Sequence, residues 1–353
     1  MSSRCRSRLL LTLDAFGTIF TPREPVLRQY LDVARGLGFT PVDESLLQDS
    51  FRNSFKEQSR LNPNYGRDSG MKSYEWWANI IKSTFSPFIS KANPLPVQLV
   101  PELLARFSSS EGYRLYPDVL PFFQTVRQSR RLSAIGKEGS WPWDLTMIGV
   151  VTNSDDRVPS ILSSLGLTVG DRRAGMAEQV FRDGAQFQAA RGGHTINVTP
   201  ASLPTWRHSD QLDKDIHFVV LSYDVGAEKP DPQIFRAAKD MLEFTLRGGN
   251  GGQPGTIPGR KEEWPVTSES ANTGDFTFLH IGDDVEKDVI GAQKAGFHSV
   301  LLDREGKYSR AFERSENKIL SVPLGEGGSS ASHEMQVIQD LRDLPYWASR
   351  LRN

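Results

Sequence analysis

Residues 9–20 read LLLTLDAFGTIF, and how this stretch is read decides the fold. Leu9, Leu10, Leu11, Thr12 and Leu13 are strand-compatible and run directly into Asp14, with Gly17 and Thr18 close behind. A strand of a parallel sheet is buried on both faces, so it shows as a short apolar run rather than an alternation. Gly17 lets the chain bend where other residues would be strained. Ligands of open α/β sheets sit beyond the carboxyl ends of the strands, which is where Asp14 falls. A strand-ending Asp can also simply cap the next turn. Three further strand ends with matching chemistry weigh against that simpler reading.

The chain has 353 residues and a formal net charge of −1, enough for one large or two modest domains with an ample core. Its balanced charge gives no general attraction to nucleic acid or to an anionic membrane. No apolar run is long enough to cross a bilayer. Cys5, the only cysteine, cannot form an internal disulfide, which fits a reducing compartment, the cytoplasm or the nucleus. Arg4, Arg6 and Arg8 make the start basic, as in an organelle presequence. Cleavage there would have to stop just short of the strand leading to Asp14. The expected partner is therefore a small molecule, with oligomeric state left open.

Outward from the first strand, residues 24–39 and 43–61 read as helices, the second with Leu46, Leu47, Phe51 and Phe55 at helical spacing. Residues 63–66, PNYG, are turn chemistry. A third helix carries Trp77, Ile80, Ile81, Thr84 and Phe88 on one face, and a fourth covers 101–107. With no strand signal between 21 and 113, residues 22–113 read as an all-helical cap over the end of the first strand. The core is then 1–21 together with 114–353. It holds a helix to about residue 131, a strand at 147–151, a helix at 159–165, a strand at 217–222 and a helix at 233–246. A strand at 276–281, a helix at 286–295, a strand at 299–302 and a terminal helix near 334–343 complete it. Residues 169–213 and 247–275 are polar or low-complexity and read as inserted loops, as does 305–333. Strands alternating with helices give an α/β fold, a doubly wound parallel sheet with a small all-helical cap.

Four strand ends carry Asp14, Thr152 with Asn153, the loop holding Lys229, and Asp283. A carboxylate, a hydroxyl–amide pair, a lysine and a distal acidic cluster suit phosphoryl transfer or ester formation. Asp14 would attack phosphorus, and two carboxylates across the mouth would hold Mg²⁺ through oxygen ligands. Lys229 would add a positive charge, while Thr152 and Asn153 would bind the equatorial oxygens of the substrate. Each residue also has a plainer role. Thr18 could be a turn hydroxyl, and Thr152 and Asn153 a turn cap. Lys229, between Glu228 and Asp231, could form a surface ion pair, and Asp283, Asp284 and Asp288 open a helix, where carboxylates are favoured anyway. His280 reads as a satisfied core residue, and Trp76 and Trp77 as cap core or a seam between cap and core.

The four segments together resemble the four motifs of the haloacid dehalogenase-like hydrolase superfamily, in order and at plausible separations. By that resemblance Asp14 matches the nucleophile, Thr18 its companion hydroxyl, Thr152 the second motif and Lys229 in GAEKPDP the third. GDDVEKD at 282–288 matches the fourth, where Asp283 would hold the metal, with Asp284 the next candidate ligand and Asp288 in support. The backbone carbonyl of Phe16 would complete the metal site. Residues 51–66 and the following EWW helix resemble the group named haloacid dehalogenase-like hydrolase domain-containing protein 3. The resemblance implies a Mg²⁺-dependent hydrolase of small phosphorylated metabolites.

One position departs from the phosphatase pattern. Phosphatases of the superfamily carry a second Asp two residues after the nucleophile as general acid/base, and here that residue is Phe16. Losing such a group costs about 10²–10⁴-fold in rate. The 2-haloacid dehalogenases have an aromatic there and use no metal, but their fourth motif is Ser/Asn-rich, whereas this one is GDD. They also use a cap arginine; Arg28, Arg52 and Arg60 lie in the cap, and exposed salt bridges are their simpler role. A metal-free dehalogenase and an inactive binding protein therefore stand beside the phosphatase reading.

Overall fold

The computed structural model describes residues 8–39, 43–134, 137, 139–175, 213–246, 276–308, 318–323 and 334–350. The chain runs through β1 (Arg8–Leu13), β2 (Phe20–Pro22), α1 (Val26–Gly36), α2 (Glu44–Leu61), α3 (Ser73–Phe85) and α4 (Leu99–Arg106). It continues as β3 (Tyr113–Leu115), α5 (Val119–Ala134), β4 (Leu145–Thr152), α6 (Val158–Ser164), β5 (Val169–Arg173) and β6 (Ile216–Leu221). Then come α7 (Pro232–Leu246), β7 (Phe276–Gly282), β8 (His298–Leu302), β9 (Leu320–Pro323), β10 (Glu334–Ile338) and α8 (Leu344–Arg350).

An eight-stranded sheet in the order β5-β6-β4-β1-β7-β8-β10-β9 forms the core, as the doubly wound reading expects. Its pairings are parallel except the last, where β9 runs antiparallel to β10. The run of leucines explains why β1 is central. Leu9, Leu11 and Leu13 pack with Ile148, Val150 and Ile281 in one apolar cluster, and Leu10 packs with Met147, Val151 and Phe218 in another. Each fully buried leucine contributes about 1.5–3 kcal/mol, so only the middle of the sheet uses all four. From β6 the chain crosses β4 and β1 to reach β7, so the strand order reverses around β1. Crevices at such reversals are where α/β sheets bind ligands.

Helices α1 to α4 form the cap. Asp43 caps α2, its carboxylate accepting from the backbone N–H groups of Ser45 and Leu46. Tyr30, Phe39, Leu47, Phe85, Leu99 and Leu103 are buried between the helices. The turn at Pro63–Gly66 is tight enough to hold Asn64 and Tyr65 at φ 45° and 58°, a region non-glycine residues rarely occupy.

Several elements differ from the sequence reading. The cap is entered and left through an antiparallel ribbon, β2 with β3, where no strand was expected; three residues are too few to show a period of two. Val169–Arg173, read as the start of a loop, is an edge strand on β6. Its polar side chains hide it because an edge strand needs few apolar residues. The terminal helix expected at 334–343 is instead β10, followed by a short 3₁₀ turn and α8. Met335, Val337 and Ile338 fit either period, and buried pairing with β8 decides it. β9 also lies inside the expected loop 305–333. The helix expected at 286–295 opens with a π-helical turn, Val285–Ile290. Most of the two expected insertions, 176–212 and 247–275, lies outside the described residues.

Candidate active site

β1 delivers Asp14 to the centre of the carboxyl edge, where its N–H donates to the Ile281 carbonyl of β7. The loop after β6 brings Lys229 in from the other side. Lys229 Nζ donates to Asp14 Oδ1 at 2.7 Å and to Asp288 Oδ1 at 2.6 Å. The lysine and Asp288 side chains are each 2% exposed and that of Asp14 is 12% exposed, so these are buried ion pairs with one open side. Burial alone would lower the lysine pKa; the charges of Asp14 and Asp288 outweigh it and hold the ammonium well above its usual range. Burial would likewise raise Asp288, but Lys229 and His280 hold it well below the ordinary carboxylate range.

Asp14, Asp283 and Asp288 bring carboxylate oxygens within 4.8 Å of one another. Asp283 is open to solvent on one side and lies against the backbone of Gly17 on the other. A Cβ at Gly17 would come within 2.3 Å of the Asp283 carboxylate, and Gly17 sits at φ 77°. Only glycine serves both demands. Partial burial, then Asp14 and Asp288, push the Asp283 carboxyl up to about 6. A Cβ at Gly282 would strike the Asp288 carboxylate in the same way, at 2.1 Å.

The remaining expected residues divide. Thr152 is buried at the end of β4, beside the Asp14 strand end, and the Thr18 hydroxyl is buried without a partner among the described residues. Asn153 does not face the mouth. Its side chain accepts from the Lys229 N–H at 2.6 Å and donates to the Lys229 carbonyl at 2.9 Å, clamping the lysine backbone rather than offering an amide to a substrate. Asp284 is not brought into the acidic cluster either: its carboxylate caps the following turn by accepting from Glu286 and Lys287 N–H. Asp288 is in the cluster, but its oxygens already accept from Lys229, His280 and the Asp284 N–H. Phe16 turns its ring against Phe20 and Tyr113. The plain reading holds for Arg28 and Arg52, which make exposed pairs with Asp32 and Asp49.

His280 is satisfied, as expected of a core histidine, but its partners belong to the site. It sits directly across from Thr12 in the β1–β7 register. Its Nδ1 is 2.9 Å from the Thr12 hydroxyl and its Nε2 3.1 Å from Asp288 Oδ1. Burial lowers its pKa, with Asp288 opposing, which favours a neutral ring donating through Nε2. A chain of contacts thus runs Thr12–His280–Asp288–Lys229–Asp14.

The cap is fastened to the loop that follows Thr152. Trp77 Nε1 donates to Asp155 Oδ2 at 2.7 Å, and the Arg157 guanidinium, paired with Asp155 at 2.8 Å, lies 4.3 Å over the Trp77 ring. Ser73 donates to Asp156. Tyr65 donates to the Asn153 carbonyl at 3.1 Å, while Asn64 exchanges two hydrogen bonds with Ser222. Trp77 is therefore the seam residue, and Trp76 is cap core, its Nε1 donating to the Asn62 carbonyl. Between these parts lies a cavity of about 110 Å³ whose lining includes Tyr30, Trp77, Phe107, Tyr113 and Arg157.

A family model described as HAD-hydrolase-like matches residues 226–321, the stretch that carries Lys229, Asp283 and Asp288. The protein named haloacid dehalogenase-like hydrolase domain-containing protein 3 of Mus musculus is 26% identical over 308 residues, covering 86% of this chain and 84% of that one. The chain is thus similar to the haloacid dehalogenase-like hydrolase superfamily, both in the stretch the family model matches and along most of its length. An uncharacterized protein of Saccharomyces cerevisiae is 27% identical over 300 residues, 85% of this chain and 73% of its own. The solved structure of a defluorinating L-2-haloacid dehalogenase covers 99% of both chains at 13% identity, with a TM-score of 0.47.

That similarity does not nominate the Thr12–His280 pair or the partners of the cap seam. A histidine two residues before Gly282 was one available signal, since alternate residues of a strand share a face. For the seam the sequence offered Trp77 as a candidate but not its partner, because Asp155 lies 78 positions away.

Proposed function

We propose that the chain is a Mg²⁺-dependent phosphohydrolase of small phosphorylated metabolites, acting through an aspartyl-phosphate on Asp14. The charge count carries the reading. Three carboxylates, those of Asp14, Asp283 and Asp288, converge, and Lys229 is the ammonium bonded among them. Two negative charges are left uncompensated where a phosphate would also have to bind. A hard divalent cation answers that imbalance, and oxygen donors suit it. Asp14 and Asp283 have the carboxylate oxygens for it, with the Phe16 carbonyl in the intervening turn. Asp288, with its oxygens engaged, orients Lys229 instead of acting as a ligand. Bound Mg²⁺ would offset the repulsion between an attacking carboxylate and an anionic substrate.

The chain's own residues do the rest. Lys229 holds one oxygen of Asp14, leaving Oδ2 to attack phosphorus. The buried hydroxyls of Thr18, in the turn after β1, and of Thr152, at the end of β4, would serve as donors for the phosphoryl oxygens. The helical segment 22–113 closes over the mouth and chooses the substrate. In this reading the enzyme works on a diffusible small molecule in the cytoplasm or nucleus, without nucleic acid or membrane. Among the described residues no helix is long and apolar enough to cross a membrane.

Phe16 favours a second reading, attack of Asp14 on the carbon of a 2-haloacid, which needs no leaving-group acid. The Asp283 carboxylate crowding Asp14 argues against it, since a metal-free site would be better without that charge. Phosphate release from a panel of small esters, with Mg²⁺ and with chelator, separates the two. Turnover that disappears with chelator and falls at least about 10³-fold in Asp14→Asn supports the phosphohydrolase. Halide release that survives chelator overturns it.

A further inference from the structure

The residue two positions after Asp14 is an aromatic hydrocarbon with no proton to give. The Phe16 ring packs edge-on against Phe20 and Tyr113, with centroids 4.6 Å and 5.6 Å away. The polar groups nearest Asp14 already have work. Lys229 is the donor in two buried ion pairs, and losing its charge would leave Asp14 and Asp288 buried without a counter-charge. Asp288 accepts three hydrogen bonds and has no proton to give. Asn153 is fastened to the lysine backbone. Asp283 is needed as a carboxylate if it holds the cation. The hydroxyls of Thr18 and Thr152 can donate hydrogen bonds but are far weaker acids than a carboxylic acid. Among the described residues no carboxylic acid is left free to protonate a departing alkoxide, and the Tyr113 phenol beside Phe16 is a far weaker acid, raised further by burial.

We propose that the substrates are phosphate esters or anhydrides whose leaving group departs as a stable anion, meaning aryl, enol or acyl phosphates, and that alkyl phosphates are poor substrates. This rests on the phosphohydrolase reading and narrows it. In the first step Asp14 Oδ2 forms a bond to phosphorus while the bond from phosphorus to the leaving oxygen breaks. That oxygen takes the electron pair and leaves as the anion, with no proton supplied by the protein. In the second step water adds to phosphorus, the bond to Asp14 breaks, and the carboxylate is restored. The protons of the water remain on the released phosphate, which passes one to the departed anion in solution. General acid catalysis is worth about 10²–10⁴-fold, and it matters most for the most basic leaving groups. Its absence therefore turns leaving-group acidity into a specificity filter.

The test is a series of substituted phenyl phosphates of similar bulk, together with acetyl phosphate and glycerol phosphate, assayed with the full chain in Mg²⁺. The expected kcat/KM falls steeply as the leaving group becomes more basic, with glycerol phosphate at least about 10²-fold below phenyl phosphate. Phe16→Asp should flatten the series by raising its poor members. Phe16→Leu, which keeps the position apolar, should leave the slope steep, and so should Tyr113→Phe. A flat series in the wild type, a slope unchanged in folded Phe16→Asp, or a slope steepened by Tyr113→Phe overturns the proposal while leaving the phosphohydrolase standing. No phosphate released from 4-nitrophenyl phosphate by the wild type or any variant, all folded by circular dichroism, overturns the phosphohydrolase reading and this proposal with it.

Discussion

Lys229 bonds two carboxylates from inside the protein, and that single contact organises the site more than any other. Removing one member of a buried ionic cluster is far worse than never having built it, because the remaining charges stay desolvated. Lys229→Met is therefore expected to lower the stability to urea by about 3–5 kcal/mol, and millimolar Mg²⁺ to restore part of the loss. An unchanged urea midpoint would mean the pairs contribute nothing. His280 acts one step further back. It touches Asp288, not the reacting atoms, so it is a positioning residue. Groups in such outer positions typically contribute about 10–100-fold. His280→Ala is expected to lower kcat by about that factor with KM little changed, and His280→Gln, which retains a donor, to recover part of it. Loss of KM alone would place His280 in binding instead.

At the scale of elements, the question is what holds the cap on the core. α3 meets the loop after β4 through Trp77, Asp155 and Arg157, and the tight turn at Pro63–Gly66 meets the loops after β4 and β6 through Tyr65 and Asn64. Those loops carry Asn153 and Lys229, so the way the cap sits is tied to the way the lysine is held. Trp77→Phe removes the donor to Asp155 and weakens the cation–π contact with Arg157. It should lower stability by about 1–3 kcal/mol by denaturant titration; a change near zero would show that water replaces the bond. The same seam has a pH signature. Burial would raise the Asp155 carboxyl, but Arg157 and Trp77 hold it below its ordinary value. As pH falls, the unfolded chain takes up the proton before the folded one. The contribution is thus full above about pH 4 and is lost as pH drops through the folded pKa. Thermal unfolding between pH 7 and pH 3 should show this loss, and Asp155→Asn should show less of it, starting from lower stability.

Across the whole molecule, the central sheet was legible because burial on both faces leaves an unmistakable trace. The leucines of β1 and the valines of β4 and β6 can be read only as interior strands. The edges were not legible. β5 and β9 need no apolar face, and β10 carries a pattern that fits a helix as well as a strand until β8 is placed beside it. Asp14 and Asp283 could be found because each directly follows such a strand, and Lys229 because the loop after β6 carries it. What sequence order cannot carry is direction. Asn153 and Asp284 occupy motif positions, yet their side chains turn to the Lys229 backbone and to a helix start. His280 and Trp77 gained their roles from cross-strand register and from tertiary packing. The acidic cluster also makes a claim on the folded state as a whole. A cation that binds only the native arrangement stabilises it by about 2.7 kcal/mol at 100 times its dissociation constant. Mg²⁺ should therefore raise the unfolding temperature of the wild type, and much less that of Asp283→Asn. Equal shifts in both would place the ion elsewhere.

Phosphorylation of Asp14 is the step on which the proposed chemistry of this protein depends. The direct measurement is intact-mass and peptide mapping of the full chain after acid quenching from acetyl phosphate and Mg²⁺. The expected result is one phosphoryl group on Asp14, absent with chelator and absent in Asp14→Asn. A folded protein that carries no phosphoryl group under these conditions, or carries it on another residue, would show that Asp14 is not the nucleophile.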